Sequence, residues 1–155
     1  MTKNLNQKIK FRPVSVSDAK ILLDWRNDPE TRKQSINTEE VKLDRHIEWL
    51  ENSIVNPNRK LLIALLGEEP VGTVRLDTEE PYSEISWTVA PSARGKGVGT
   101  KMIESALEFF NCPIKAKIKP ENIASIKLAE KVGFKKISAN EEITEWVFDP
   151  KEKNE

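Results

Sequence analysis

Residues 94–100 read Arg-Gly-Lys-Gly-Val-Gly-Thr. They follow a strand-like run, Glu84-Ile-Ser-Trp-Thr-Val-Ala90, and a Pro91-Ser92-Ala93 break. They lead into a helical pattern with apolar residues at Val98, Met102, Ile103, Ala106, Leu107 and Phe110. Glycines at Gly95, Gly97 and Gly99, in a strand-to-helix turn, leave backbone N–H groups bare at the positive end of a helix dipole. Such a place holds phosphate. Arg94 and Lys96 add two cationic side chains at the same spot. A dinucleotide-binding turn would read G-x-G-x-x-G early in a βαβ unit, with an acidic residue about 20 positions on. The spacing here is G-x-G-x-G, past mid-chain, and Lys115 to Lys119 occupy the place of that acid. A P-loop, G-x-x-x-x-G-K-[ST], is absent. Taken alone, the turn is equally well a plain β-to-α connection.

The downstream sequence shifts that balance. After a short strand, Ile114-Lys-Ala-Lys-Ile118, comes Pro120-Glu-Asn-Ile-Ala-Ser-Ile-Lys-Leu-Ala-Glu-Lys-Val-Gly-Phe134. Asn122 suits an N-cap, Ala124, Leu128 and Val132 share one helical face, and Gly133 suits the left-handed position that ends a helix. The R-G-K-G-V-G loop followed by N-x-x-S-x-x-L-A-E-K-x-G-F resembles the GNAT superfamily of acetyl-CoA-dependent N-acetyltransferases. The loop is similar to that family's [RQ]-x-x-G-x-[GA] pyrophosphate loop, and the second segment to its second CoA-contacting helix. The resemblance extends from about residue 8 to 148.

Composition agrees with one domain. The 155 residues are enough for a single core. Lys plus Arg (25) equals Asp plus Glu (25), for a formal net charge of zero, which argues against a broad nucleic-acid surface. The single Cys112 excludes an internal disulfide, fits a reducing cytosol, and reads as a small buried residue after a helix. The polar start, Met1 to Lys10, lacks the apolar core of a signal peptide, and no apolar run approaches a membrane span. A cytoplasmic protein is expected, with Met1 to Gln7 and Lys151 to Glu155 frayed.

Periodicity predicts a strand near Ile9–Pro13, then a helix opened by Ser17 that carries Ile21, Leu22 and Trp25. A second helix is expected from Asn37 or Thr38, with Glu40 completing a capping-box pattern and Leu43, Ile47, Leu50 and Ile54 on its apolar face. Strands follow near Lys60–Leu66, Val71–Asp77 and Ser83–Val89, with Gly67 to Pro70 as the first turn. After the glycine loop come helix, strand, helix, and strands near Lys135–Ile137 and Ile143–Phe148. Periodicity alone says α/β or α+β. The resemblance implies the rest: a single GNAT domain over 1–155, with a central mixed, mostly antiparallel sheet of about seven strands. Helices flank it, and a splayed strand pair holds CoA.

The same resemblance implies the site. Trp87–Val89 would diverge from Ile114–Ile118, with pantetheine in the gap, paired to backbone groups of Thr88 and Val89. A main-chain N–H there would polarise the thioester carbonyl. Residues 94–100, Arg94 through Val98 and Thr100, would take the pyrophosphate, and Asn122 and Ser125 the pantetheine or ribose-phosphate side. No metal is implied. Many family members carry a tyrosine that protonates the thiolate; Ala129 stands there instead, and the only tyrosine is Tyr82. The proton would come from Tyr82, from water or from the amine. Glu84 is the first candidate for the base that deprotonates the amine, through water, beside the alternative of a plain solvated strand glutamate. His46, the only histidine, titrates in the useful range, although a surface or capping role suits it better.

For the acceptor, Leu23-Asp-Trp-Arg-Asn-Asp-Pro29 followed by His46-x-x-Trp49 resembles a GNAT branch of bacterial amino-sugar pathways, of the pseudaminic and legionaminic acid type. Arg26, Arg32 and Arg45 would contact a sugar-nucleotide diphosphate, with Asn27 beside them. Trp25 or Trp49 would stack on a ring unless they belong to the core. The expected partner is a small amine, a sugar nucleotide first; a homodimer is permitted. Related sequences acetylate protein N-termini, which is the second reading, and a non-catalytic acyl-CoA sensor is the third. A peptide would favour an open acidic trough, a sugar nucleotide a closed basic pocket.

Overall fold

Seven strands occur among the described residues: β1 (Ile9–Pro13), β2 (Arg59–Leu66), β3 (Glu69–Asp77), β4 (Ser83–Val89), β5 (Ile114–Ile118), β6 (Lys135–Ala139) and β7 (Thr144–Phe148). The structure is a computed structural model and describes residues 7–78 and 82–153. The strands form one sheet in the order β1-β2-β3-β4-β5-β7-β6. Every neighbouring pair is antiparallel except β4 and β5, which run parallel. The helices are α1 (Ala19–Asn27), α2 (Pro29–Gln34), α3 (Leu43–Val55), α4 (Val98–Leu107), α5 (Ile123–Val132) and α6 (Pro150–Lys153).

Side chains alternate across the sheet. Val74 and Leu76 of β3, with their β4 partners Trp87 and Ile85, face the side covered by α4. Met102, Ile103 and Ala106 of α4 are buried there. The opposite face carries Thr73, Arg75 and Asp77 with their partners Thr88, Ser86 and Glu84, and α1 and α3 close over it. Burying the 29 apolar residues that form this two-sided core among the described residues, at about 25 cal/mol per Å², is what holds the helices on the sheet.

The sequence expectations for β1, β4 and β5 match residue for residue, and β2, β3, β6 and β7 differ only at their ends. Pro70, expected in a turn, already lies in β3. Four expectations need correction. The first helix is entered through a 3-10 turn, Val16–Asp18, that opens at Ser15 rather than Ser17: the Asp18 carboxylate accepts from the Ser15 N–H at 2.9 Å, and Asp18 stands at the N-cap position of α1. The second predicted helix starts at Leu43, because Asn37 spends its side chain on the Glu39 N–H two residues on. Its buried side carries His46, Leu50 and Ser53, while Leu43 and Ile54 are exposed. Between these helices lies the unforeseen α2. Cys112 is exposed in the turn before β5, not buried. Of the ends expected to fray, residues 1–6 and 154–155 lie outside the described residues, and Pro150–Lys153 form α6.

Candidate active site

Strands β4 and β5 pair only at Ser83 with Ile114 and at Glu84 with Lys115. Beyond these two rungs they part. The Ala90 N–H donates to the Val71 carbonyl at 2.7 Å, and the Thr88 carbonyl lies against Gly72. Backbone groups alternate along a strand, so Trp87 and Val89, rather than Thr88, present their N–H groups to the gap. A ligand with amide groups can therefore lie there as an added strand.

The glycine loop closes one end of this gap. Gly95 and Gly97 have φ of 75° and 76°, and no atom lies within 4 Å of where a Cβ would stand on either. Left-handed backbone turns successive N–H groups inward as a nest, and the space before them is open. Gly99 answers a different need: a Cβ there would meet Leu128 Cδ1 at 2.9 Å and Val89 Cγ2 at 3.0 Å. The first turn of α4 is thereby pressed onto both α5 and β4. A cavity of about 460 Å³ runs along this loop, lined by Trp87, Thr88, Val89, Gly95, Gly97 and Thr100 among others. Val98 itself is buried.

The loop's cations behave differently from expectation. Arg94 lines the cavity but spends its guanidinium on α2, donating to Asp28 at 2.8 Å and to the Thr31 hydroxyl at 2.6 Å. Lys96 bends back to the Ser92 carbonyl at 3.0 Å and does not line the cavity. Cationic lining comes instead from Lys127 and Lys131, one turn apart on α5, which the sequence reading passed over despite their i, i+4 spacing. Asn122 caps α5, accepting from the Ser125 N–H at 3.2 Å, and Gly133 ends it at φ 108°. An N–H nest, open space before it, two lysines and a strand-like slot together fit an extended diphosphate thioester.

A second cavity, of about 720 Å³, opens on the α1–α3 side of the sheet. It shares Gln34, Ser35, Trp87, Thr88, Asn122 and Ser125 with the first. The two cavities are one cleft, and this junction is where two substrates can meet. Four cationic residues line the second cavity, Arg26, Arg45, Arg75 and Lys117, against two carboxylates, Asp77 and Glu84. Asp77 is already held by Arg59 at 2.7 Å and Arg75 at 2.8 Å. Burial opposes its ionisation, but these two arginines outweigh that and hold its pKa below the usual carboxylate range.

Arg26 donates to the Asn37 carbonyl at 2.7 Å, and its Nη1 is buried with no partner. Burial, and then the charge of Arg32, lower its basicity. His46 is buried rather than on the surface, and its Nε2 has no partner. Burial drives its pKa below the ordinary histidine range; a hydrogen bond with the Ala19 backbone opposes this, and the Arg26 charge adds to it. The imidazole is thus held neutral. Trp49 is 38% exposed, its ring stacked on His46 at 5.9 Å and flanked by the guanidiniums of Arg59 and Arg75. It forms a cavity wall rather than core, whereas Trp25 is buried and reaches the same cavity.

Three further expected site residues stand elsewhere. Arg32, expected beside Arg26 and Arg45 as an anion contact, donates its Nε–H to the Thr38 carbonyl at 3.2 Å and lines neither cavity. Asn27 clamps the segment between α2 and α3, its amide exchanging two hydrogen bonds of 2.8 Å with the Val41 backbone, and it does not line the cleft. Tyr82 is 40% exposed and lines neither cavity. Ala129 is fully buried, so nothing at that position reaches the cleft. Glu84 lines the second cavity on the face of Ser86 and Thr88. Among the described residues no group of histidine, cysteine or acidic side chains is placed to hold a metal, and no helix is long and apolar enough to cross a membrane.

Comparison with known proteins agrees with this geometry. A family profile described as an acetyltransferase (GNAT) domain matches residues 8–135. An uncharacterised protein of Methanocaldococcus jannaschii is 32% identical over 93% of the chain, and the chain spans 31% of that relative's length. Among solved structures, AAC(6')-Ib in complex with ribostamycin and coenzyme A has a TM-score of 0.83 at 21% identity, covering 96% of this chain and 97% of that one. The spermidine N-acetyltransferase of Vibrio cholerae, in complex with CoA and spermine, has a TM-score of 0.82 at 16% identity, covering 91% and 95%.

Proposed function

Because the chain carries a GNAT acetyl-CoA-dependent N-acetyltransferase domain and belongs to that family, we propose that it moves an acetyl group from acetyl-CoA to the primary amine of an anionic acceptor. An amino sugar is the class we favour, a nucleotide-linked deoxyamino sugar first. The observation that carries this reading is the charge of the second cavity: Arg26, Arg45, Arg75 and Lys117 against Asp77 and Glu84. Neither Arg26 nor Arg45 has a carboxylate ion-pair partner among the described residues. A polycationic acceptor such as spermidine or an aminoglycoside would meet like charge there, at a cost of several kcal/mol. A diphosphate would relieve the mutual repulsion of the arginines.

In this reading the pyrophosphate lies in the Gly95–Gly99 nest, and the pantetheine fills the slot beside Trp87 and Val89. One of the slot-facing N–H groups then polarises the thioester carbonyl. Fixing both substrates at the junction removes much of the bimolecular cost. Glu84 stands four strand positions from Thr88, roughly 13 Å along β4, so it takes the amine proton through water. With Tyr82 outside the cleft, the departing thiolate is protonated by solvent or by the proton the amine gives up.

The test follows thiol release from acetyl-CoA with a nucleotide-linked 4-amino sugar, glucosamine 6-phosphate, spermidine, kanamycin and an amino-terminal peptide as acceptors. The anionic amino sugars should exceed spermidine and kanamycin in kcat/KM by about 100-fold or more. A preference for the peptide would assign the protein to N-terminal acetylation, and a preference for polycations would overturn the role given to the arginines.

A further inference from the structure

Gln34 ends α2 and lines both halves of the cleft. Its Nε2 donates to the Glu30 carboxylate at 3.3 Å, while its Oε1 is buried with no partner. The orientation of the amide follows from chemistry: a carboxylate only accepts, so the nitrogen faces Glu30 and the oxygen points away. A buried acceptor without a donor is costly, and this one stands at the junction of the two cavities. Of its neighbours there, Ser35 has turned its hydroxyl back to the Thr31 carbonyl at 2.7 Å, and Asn122 has committed its oxygen to the Ser125 N–H.

The helix that carries Gln34 is held in place from the cofactor side. Arg94, the first residue of the glycine loop, grips both Asp28 and Thr31 in the first turn of α2. The loop that receives the diphosphate therefore also sets where the Gln34 amide stands.

We infer that Gln34 Oε1 is the acceptor that receives an N–H of the incoming amine and aims its lone pair at the thioester carbon. This rests on the acetyl-transfer reading. In the step itself the nitrogen lone pair forms the C–N bond and the C–S bond breaks. The sulfur leaves with the electron pair and gains a proton equivalent to the one the nitrogen loses. An amide takes up no proton, so Gln34 positions the amine and does not act as its base.

The experiment needs no knowledge of the acceptor. S-(2-aminoethyl)-CoA places a tethered amine just past the sulfur, and S-propyl-CoA places a methyl group there. Calorimetry on the wild type should give about tenfold tighter binding of the amine-bearing thioether, the usual worth of a hydrogen bond to a charged donor. Gln34→Leu should abolish that preference while leaving S-propyl-CoA affinity within about threefold. Gln34→Glu, which keeps the oxygen and the size, should retain it. Equal binding of both thioethers by the wild type, or a preference that survives in Gln34→Leu, overturns the inference. Failure of both thioethers to bind is a separate result: it overturns the acetyl-CoA reading and this inference with it.

Discussion

Gly97 has room for a side chain but not the backbone for one. Its φ of 76° strains any L-residue, by about 1 kcal/mol for alanine, while the space ahead of it is where phosphate belongs. Two substitutions separate these effects. Gly97→Ala should lower stability by about that 1 kcal/mol and weaken acetyl-CoA binding only modestly. Gly97→Glu should weaken it by about 100-fold or more, since a carboxylate held near a diphosphate costs several kcal/mol at low effective dielectric. Calorimetry on the folded variants decides, and unchanged affinity in Gly97→Glu would move the diphosphate elsewhere. The glycines and Asn122 were legible in the sequence because their roles are local: a turn needs positive φ, a helix needs a cap. The partners of Arg94 and Asn27 were not, because each is bound by a residue that only the fold brings near. A side chain's type predicts what it can bind, not which of several suitable groups reaches it first.

At the scale of elements, the strands were legible since their alternation is a property of the sheet face. Helix α2 was invisible for the converse reason: Pro29-Glu-Thr-Arg-Lys-Gln34 carries no apolar stripe and buries no residue. It is held by its capping Asp28, which accepts from the Thr31 N–H at 3.1 Å, and by the ion pair from Asp28 to Arg94. That pair is a third exposed on the arginine side, so screening limits its worth to less than about 1 kcal/mol of global stability. Its local effect is larger, because α2 has little else. Asp28→Asn keeps a capping oxygen and removes the charge. It should shift Tm by no more than about 3 °C while amide exchange over residues 30–35 accelerates by about tenfold, as for a loss of about 1.4 kcal/mol in local opening. Exchange unchanged in that segment would show that α2 does not depend on Arg94.

For the molecule as a whole, the paired carboxylates and the buried histidine predict the course of acid unfolding. Asp18 sits on Arg12 at 2.8 Å, Asp28 on Arg94, and Asp77 between two arginines. All three carboxyls have pKa values below their ordinary range in the folded state. Their contribution is therefore complete above about pH 4, the unfolded value, and is lost as pH falls through the folded values. His46 acts earlier. Its folded pKa is also lowered, so below about pH 6.5 the unfolded chain takes up a proton that the folded protein refuses, and stability declines from there. Thermal unfolding should show a constant Tm above about pH 7, a shallow fall beginning near 6.5 and a steeper one below 4. His46→Gln should remove the first fall and keep the second. A wild-type Tm that is flat from pH 7 to 5 would mean that the imidazole is free to charge in place.

The two rungs between β4 and β5 set stability and use against each other. Each further backbone pair across that seam would add about 1 kcal/mol, and the strands run side by side closely enough at Ser83 and Glu84 to begin the zipper. Completing it would make a tighter, more heat-resistant sheet with no opening between its halves. Selection for endurance alone pushes the chain towards that closed form, and selection for turnover keeps the seam unfinished. Stabilising substitutions in this protein therefore belong on the outer strands and helices, well away from the place where the sheet is left open.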